Sequence, residues 1–268
     1  MNELHYSSLG TVCARIKSGE LSARSVVAAT LERIGELDPQ LHAYVMVLAD
    51  SALARADALD QAREAGEMLG PLHGVPIALK DLLYTEGLPT ASGTKVMESF
   101  VPSENATVVD RLTEAGAVVI GKTQLTEGAY GVHHPEVTDP VNPWAVDRWT
   151  GVSSSGSGVA VAAGLCFGAL GSDTGGSIRF PAASCGTVGL KPTYGRVSRH
   201  GAFPLAESLD HIGPMTRTVA DAARMLQVMA GHDPRDSTTL AEPVPNYGAE
   251  IGGPVAGLRV GVDWHYAS

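Results

Sequence analysis

The sequence predicts an α/β fold. Only 5% of its residues are aromatic and 31 are glycine, a composition that suits tight loops and close helix–sheet contacts better than an all-β sandwich. Short apolar runs alternate with helical patterns along the chain. One helical pattern, 106–115, leads through Gly116 into an apolar run at 117–120, which is typical of a helix followed by a parallel strand.

The N-terminal residues have the apolar spacing of helices. Ser7 precedes a segment that ends at Gly19 and whose apolar residues share one helical face: Leu9, Val12 and Ile16. Ser22 precedes a second such segment, which contains Val26, Val27, Leu31 and Ile34. We expect this second helix to end before Asp38-Pro39, because proline interrupts a helix.

An alanine-rich segment, 50–66, predicts a third helix. The pattern then changes to short apolar runs. We therefore expect a single domain, 1–268, with a helical N-terminal part, 1–66, and an α/β core, 67–268.

Within the core, the run 74–81 is apolar and ends abruptly in Lys80-Asp81, as a buried strand does at the edge of a site. Residues 131–150 contain three prolines and predict irregular structure. A serine- and glycine-rich loop, 151–158, leads into a helix that extends to about 165.

The C-terminal third of the core begins with a predicted strand at 166–170. Thr218 precedes a predicted helix at 219–230, with an aspartate three residues later as in a capping box. A further strand is predicted at 257–262, which indicates that the fold continues beyond residue 268.

Charge and composition exclude several classes of function. A net charge of −10 argues against a nucleic-acid-binding protein. The three cysteines, Cys13, Cys166 and Cys185, form no pattern, and the sequence has neither a signal peptide nor an apolar run of 18 residues. We expect a cytoplasmic protein with reduced thiols and no membrane partner.

Three local motifs match known sites only superficially. The phosphate-loop pattern over 116–123 fails, because its variable residues are themselves the predicted strand. The S-x-x-K pattern of penicillin-recognising enzymes at 92–95 lacks its companion motifs. His133-His134 has no metal-ligand partner at suitable spacing, so we expect it to pack at a loop or pocket rim and expect no metal site.

The segment 171–179 carries the strongest chemical signal. It places Ser177 after paired glycines, which allow a substrate close to the backbone and direct N–H groups toward it. No histidine stands in a recognisable relation to this serine. A buried lysine is an alternative base, because burial disfavours the ammonium form. Lys80 is the candidate, although its position alone favours an ion pair with Asp81.

The loop 151–158 supplies hydroxyl groups that would link such a lysine to the serine. An apolar segment follows it directly, so the loop is anchored between structured elements and is not a linker.

These motifs together resemble the amidase signature family. The resemblance extends from about residue 7 to the end of the chain and is densest over 142–217, with the segments Asn142-Pro143-Trp144, Asp173–Arg179, Gly189–Thr193 and Gly213-Pro214-Met215. It implies a mixed β-sheet flanked by helices, with the C-terminal part of that fold absent from this chain.

The resemblance implies a Ser-cisSer-Lys triad with no cofactor. Ser177 corresponds to the nucleophile, Ser153 to the bridging serine with a cis peptide bond, and Lys80 to the base. The backbone N–H groups of Thr174, Gly175, Gly176 and Ser177 correspond to the oxyanion hole. Ser154, Asp173 and Arg179 correspond to supporting residues.

Two residues of the loop depart from the family pattern. Val152 and Ser155 replace glycines of the usual Gly-Gly-Ser-Ser-Gly-Gly-Ser. The activity implied is hydrolysis of linear amides, with aryl amides, esters and carbamates as related substrates of the same chemistry. Two alternatives stay open: the glutamine-hydrolysing A-type subunit of a tRNA-dependent amidotransferase, and an inactive fragment. A homodimer is also left open.

The amidotransferase alternative is disfavoured by two features. Those subunits usually carry Arg-Gln-Pro after the nucleophile, where this chain has Phe180 between Arg179 and Pro181, and the His133-His134 loop is unlike theirs. The substrate pocket is not defined by motif, and Met97, Tyr130 and Phe203 are candidates for its lining or for the core.

Overall fold

The computed structural model describes residues 2–267. Nine α-helices, six strands and one 3₁₀ turn are formed within this range. The helices are α1 Asn2–Tyr6, α2 Leu9–Lys17, α3 Ala23–Leu41, α4 Ala49–Glu64, α5 Thr107–Glu114, α6 Ser155–Ala162, α7 Arg179–Cys185, α8 Val219–Met229 and α9 Trp264–Ala267, and the 3₁₀ turn is Glu127–Ala129. The strands are β1 Tyr44–Val47, β2 Pro76–Lys80, β3 Val118–Thr123, β4 Gly168–Asp173, β5 Val188–Gly189 and β6 His211–Thr216.

The strands form one mixed sheet in the order β1-β3-β2-β4-β6-β5. β2 is central and pairs in parallel with both β3 and β4. β1, β6 and β5 pair antiparallel with their neighbours. The predicted α/β class and the mixed sheet flanked by helices are confirmed.

Helices cover both faces of this sheet and bury a separate apolar cluster on each. Residues of α2, α5 and α8 pack on one face, and residues of α3, α4 and α6 pack on the other. Strand β2 contributes to both clusters because successive side chains of a strand point to opposite faces. Ile77 and Leu79 join the first cluster, whereas Ala78 joins the second.

α3 ends later than predicted, whereas α2 and α4 lie within two residues of their predicted bounds. Ser8, one residue after the predicted Ser7, caps α2 by accepting a hydrogen bond from the Thr11 N–H. α3 continues past the predicted end, through Pro39 to Leu41. Proline in the last turn removes a single helical hydrogen bond, and the Asp38 carboxylate accepts an N–H bond from Ala43 just beyond the helix.

Three further boundaries differ from the sequence prediction. β1 lies within the part expected to be helical, and its antiparallel pairing with β3 stabilises it. α6 begins at Ser155, inside the predicted loop. β4 extends to Asp173, three residues later than expected, because β6 pairs with its whole length.

The strand predicted at 257–262 is wrong within the described residues. This segment has no strand partner, and its apolar side chains Leu258, Val260 and Val262 are exposed. A strand is stabilised by the hydrogen bonds of a neighbouring strand, which this segment lacks. The helix predicted after Thr218 is confirmed, and the Thr218 hydroxyl accepts a hydrogen bond from the Asp221 N–H. None of the helices within residues 2–267 has the length and apolarity needed to cross a membrane.

Candidate active site

The last residue of the central strand β2 is Lys80. Strand alternation places its side chain on the face of Ala78, which α6 covers. The side chain is completely buried. Its Nζ lies 2.7 Å from the Ser153 Oγ, 2.9 Å from the Ser154 Oγ and 2.9 Å from the Ser172 Oγ.

Burial lowers the pKa of Lys80 well below its usual value, and the nearby carboxylates of Asp173 and Asp210 oppose that shift. Lys80 forms no ion pair with any residue in the described range. Asp81 instead pairs with Lys122, the lysine of the phosphate-loop-like motif, across 3.0 Å. The simple interpretation of an ion pair between Lys80 and its neighbour is therefore wrong.

Three hydroxyls surround the Lys80 Nζ, and the three N–H donors of an ammonium or the mixed donors and lone pair of a neutral amine satisfy them. The Ser154 hydroxyl donates to the Ser172 carbonyl oxygen and so accepts from Nζ. The hydroxyls of Ser153 and Ser172 have Nζ as their sole partner among the described residues. A neutral amine offers two N–H donors and one lone pair, so it satisfies all three hydroxyls if one of them donates to it.

The loop before α6 holds two of these hydroxyls in place. The peptide bond between Val152 and Ser153 is cis. Ser153 and Ser154 are both completely buried. The Ser154 backbone N–H donates to the Ser177 carbonyl oxygen over 3.2 Å, which joins this loop to the segment that follows β4.

That segment is organised by the Asp173 carboxylate. It accepts hydrogen bonds from the Gly176 and Ile178 N–H groups at 2.8 and 3.1 Å. It also accepts two from the Arg179 guanidinium, at 3.0 and 2.9 Å. Burial raises the pKa of Asp173, but the hydrogen bonds from Arg179 and the backbone outweigh it, and the net pKa is lowered. The carboxylate is therefore held ionised at the turn that carries Ser177.

Ser177 is half-buried, and its hydroxyl has no hydrogen bond to any described residue. The structure thus brings Lys80 and Ser153 into contact and places the Ser177 backbone against Ser154. No hydrogen bond joins the Ser153 and Ser177 hydroxyls within the described chain. Hydrogen bonds between catalytic groups are often unformed without substrate.

Of the four amide groups expected to form an oxyanion hole, one is already engaged. The Gly176 N–H donates to Asp173, so its expected role is corrected: it fixes the turn. The N–H groups of Thr174, Gly175 and Ser177 have no partner among the described residues. The carboxylate takes the Gly176 amide because ionised acceptors form the stronger hydrogen bonds.

Two cavities adjoin these groups. One, of about 550 Å³, is lined on one side by Ser172 and Thr174 and on another by Phe203. The second, of about 520 Å³, is lined by Trp149 and Val152 together with His133 and Asp139.

The three candidate pocket residues differ in their positions. Phe203 lines the larger cavity. Tyr130 is 76% exposed, and Met97 is half-buried in a separate loop. Neither of these two lines the cavities beside the site.

The sequence analysis missed several groups of this site. Ser172 provides the third hydroxyl at Lys80, and Asp210 accepts a hydrogen bond from the Thr174 hydroxyl. Ser172 lies next to Asp173 in the motif, which is a weak signal. Asp210 is 36 residues from Thr174 in sequence, and the pairing of β6 with β4 brings the two together.

The remaining motifs have structural roles. Lys95 of the S-x-x-K pattern pairs with Glu98 at the surface, and Ser92 is buried in a turn. His133 contacts Ser155 and Asp139. No group of three potential metal-ligating side chains occurs between residues 2 and 267.

Similar proteins of known sequence include amidases and amidotransferase subunits. "Putative amidase AmiD" of Mycobacterium tuberculosis is 54% identical over 257 residues, which cover 96% of this chain and 54% of the relative. The A-type subunit of glutamyl-tRNA(Gln) amidotransferase from Synechococcus is 54% identical over 250 residues, or 92% of this chain and 51% of the relative. The chain spans about half the length of these curated relatives.

Solved structures give the same result for the fold. Native peptide amidase from Stenotrophomonas maltophilia has a TM-score of 0.85 and 40% identity, covering 92% of this chain and 53% of that one. An amidase family protein from Bacillus anthracis has a TM-score of 0.83 and 36% identity, covering 89% of this chain and 49% of that one. The Amidase family model matches residues 25–267. With the sheet order, the buried lysine and the glycine-flanked serine described above, these likenesses establish that the chain belongs to the Amidase family.

Proposed function

We propose that the chain hydrolyses amide C–N bonds through Ser177, Ser153 and Lys80, releasing a carboxylic acid and ammonia or an amine. The observation that carries this proposal is the setting of Lys80. It is completely buried, forms no ion pair with a described residue and lies 2.7 Å from the Ser153 hydroxyl. A buried amine of lowered pKa is a base near neutral pH, whereas an exposed lysine is not.

The first half of the proposed reaction forms an acyl-enzyme. The neutral Lys80 amine takes the proton of the Ser153 hydroxyl while Ser153 takes the proton of the Ser177 hydroxyl. The Ser177 Oγ forms a bond to the amide carbonyl carbon, and the carbonyl oxygen becomes an oxyanion. The proton then returns through Ser153 to the amide nitrogen, the C–N bond breaks and the amine leaves.

The second half regenerates the enzyme. Water gives a proton to the same relay and attacks the ester carbon, after which the bond to Ser177 breaks and the acid is released. The N–H groups of Thr174, Gly175 and Ser177 are free to donate to the oxyanion in both halves. Removing one such donor costs about 3–4 kcal/mol of transition-state stabilisation in comparable sites.

The supporting residues act by holding these groups. Ser154 joins Lys80 to the Ser172 backbone, and its own N–H holds the Ser177 carbonyl oxygen. Asp173 fixes the nucleophile turn, and Arg179 keeps Asp173 ionised. We assign none of the three a step in the proton transfer.

Two aromatic side chains beside the nucleophile turn favour an apolar amide over glutamine as the substrate. The Phe180 ring lies over the nucleophile turn, where a Cβ on Gly176 would be 2.4 Å from it. The Trp149 ring is 6.1 Å from that of Phe180, between centroids, and the two rings are 58% and 48% exposed. Aromatic rings at this position suit contact with an alkyl or aryl group of a substrate.

A second candidate function is glutamine hydrolysis as the A-type subunit of an amidotransferase. Its support is the 54% identity to such a protein, which equals the identity to the putative amidase. Ammonia release from glutamine and from simple amides, measured without any partner protein, separates the two. Faster release from glutamine than from aryl amides would favour this alternative.

The main test is a Ser177→Ala variant assayed on a panel of aliphatic, aryl and peptide amides. The matched control is Ser99→Ala, which changes an exposed serine outside the site. We expect the control to keep full activity and Ser177→Ala to lose about a thousandfold or more in kcat. Unchanged activity in Ser177→Ala would overturn the mechanism. A fluorophosphonate probe that failed to label Ser177 in the folded chain would favour the inactive fragment.

A further inference from the structure

A second serine of the loop forms an array that resembles a Ser-His-Asp triad. The His133 Nε2 lies 2.9 Å from the Ser155 Oγ, and the His133 Nδ1 lies 3.2 Å from the Asp139 Oδ1. The histidine side chain is only 7% exposed, whereas the Asp139 side chain is 73% exposed. A proton on Nδ1, which lies near the Asp139 carboxylate, leaves Nε2 to accept the Ser155 proton, a tautomer assigned from these two contacts.

This array is not a second nucleophilic site. Ser155 is completely buried at the start of α6 and lines neither of the cavities beside the candidate active site. His133 and Asp139 line the 520 Å³ cavity. A nucleophile must reach the carbonyl carbon of its substrate, which a completely enclosed hydroxyl does not.

The array connects to the relay through the backbone. Ser155 directly follows Ser154 and is two residues from Ser153. These two serines provide two of the three hydroxyls that contact Lys80, so the backbone that Ser155 anchors also carries them. His133 belongs to the irregular segment 131–150, which has no regular secondary structure to hold it.

Both partners are unusual features of the sequence in this region. Ser155 replaces a glycine of the family pattern, and His133 belongs to a histidine pair that the proposed reaction does not use. A serine hydroxyl buried here requires a hydrogen-bond partner, and His133 provides it. His133 therefore satisfies the hydroxyl group that Ser155 adds to this loop.

We propose that Asp139, His133 and Ser155 form a positioning array that fixes the Ser153 loop and one wall of the 520 Å³ cavity. The inference rests on the proposed function of Ser153 and Ser177. Burial lowers the pKa of His133, against the opposing effect of Asp139, which favours the neutral ring that the array needs. His133 is a positioning residue, because it acts on the reacting groups through Ser155.

The experiment replaces His133 by leucine and by glutamine. Leucine fills the space without a polar atom, whereas the glutamine amide reaches the position of Nε2 and keeps a bond to Ser155. The matched control is His134→Ala, whose ring accepts a hydrogen bond from the Glu136 N–H within its own loop. We expect His133→Leu to lower kcat about 10- to 100-fold, with little change in KM for a small amide, and His133→Gln to restore most of it.

A second variant tests whether the contact itself is responsible. Ser155→Gly removes the hydroxyl that contacts the His133 Nε2. The double variant His133→Leu/Ser155→Gly removes both the ring and the hydroxyl. We expect the double variant to be more active than the product of the two single effects predicts. Independent single effects would overturn the inference.

Labelling of Ser177 by a fluorophosphonate is measured in parallel for every variant. If the parent chain is labelled and His133→Leu is labelled as fast as His134→Ala, the positioning role of His133 is overturned and the proposed function is not. A parent chain that is not labelled at Ser177 overturns the proposed function and this inference with it. Circular dichroism of each variant shows whether a slower reaction comes from unfolding. If His133→Leu is unfolded, the activity of the His133→Gln variant decides whether the bond to Ser155 matters.

Discussion

Replacement of Lys80 by methionine distinguishes a buried neutral base from a buried structural cation. Methionine has a similar length and no charge. A cation needed for stability would cost about 3–5 kcal/mol when removed, because its partner charge is then left buried and unpaired. Lys80 has no such partner among the described residues, so the structure predicts a different result.

The free-energy change follows from the contacts of Nζ. Burial disfavours the charged form of Lys80 and lowers its pKa, and the methionine variant removes this desolvation cost. Against this, the Ser153 and Ser172 hydroxyls lose their sole described partner. Each unsatisfied hydroxyl costs about 1–3 kcal/mol. The two effects oppose each other, so the loss of stability should be smaller than the loss expected when a buried charge loses its partner.

Activity should respond very differently. Without its base the relay cannot remove the Ser177 proton, and we expect kcat to fall by about 10³-fold or more. Urea unfolding monitored by circular dichroism gives the stability, and amide hydrolysis gives the rate. A Lys80→Met variant that lost several kcal/mol of stability, or one that kept its activity, would refute the reasoning.

Three further predictions concern pH and the buried charges. The rate constant kcat/KM should rise as the pH passes the lowered pKa of Lys80 and then level off, because the neutral amine is the reactive form. A pH profile that falls over this range would contradict the role of Lys80 as the base. Lys122→Met should lower the free energy of unfolding by about 3–5 kcal/mol, since it leaves Asp81 buried without its ion-pair partner. Urea unfolding measures this loss, and the double variant with Asp81→Leu should recover most of it. Asp221→Ala should cost about 1–3 kcal/mol, because its carboxylate accepts the N–H bonds of the first two residues of α2 at 3.0 and 2.9 Å. An unfolding midpoint equal to that of the parent would contradict this last prediction.

Most of the fold was predictable because neighbouring residues in the sequence determine most of its helices. The helices α2, α3, α4, α5 and α8 follow from apolar spacing and from capping residues such as Ser22, whose hydroxyl accepts the Ser25 N–H. The errors lie where tertiary pairing decides. β1 forms because β3 lies beside it and pairs with it. The segment 257–262 forms no strand because none of the described strands lies beside it.

For the candidate site, the sequence alone determined which residues to consider. A glycine-flanked serine without a histidine and a lysine at the end of an apolar run are local patterns that pointed to Ser177 and Lys80, and the family resemblance selected Ser153 from the serine-rich loop. The tertiary structure decided which groups touch. Two segments that are distant from Lys80 in sequence bring their hydroxyls to its buried amine, and Asp173 accepts the N–H of an amide that was expected to face the substrate. The array of Asp139, His133 and Ser155 was equally invisible, because hydrogen bonds between distant segments depend on packing, which no local pattern records.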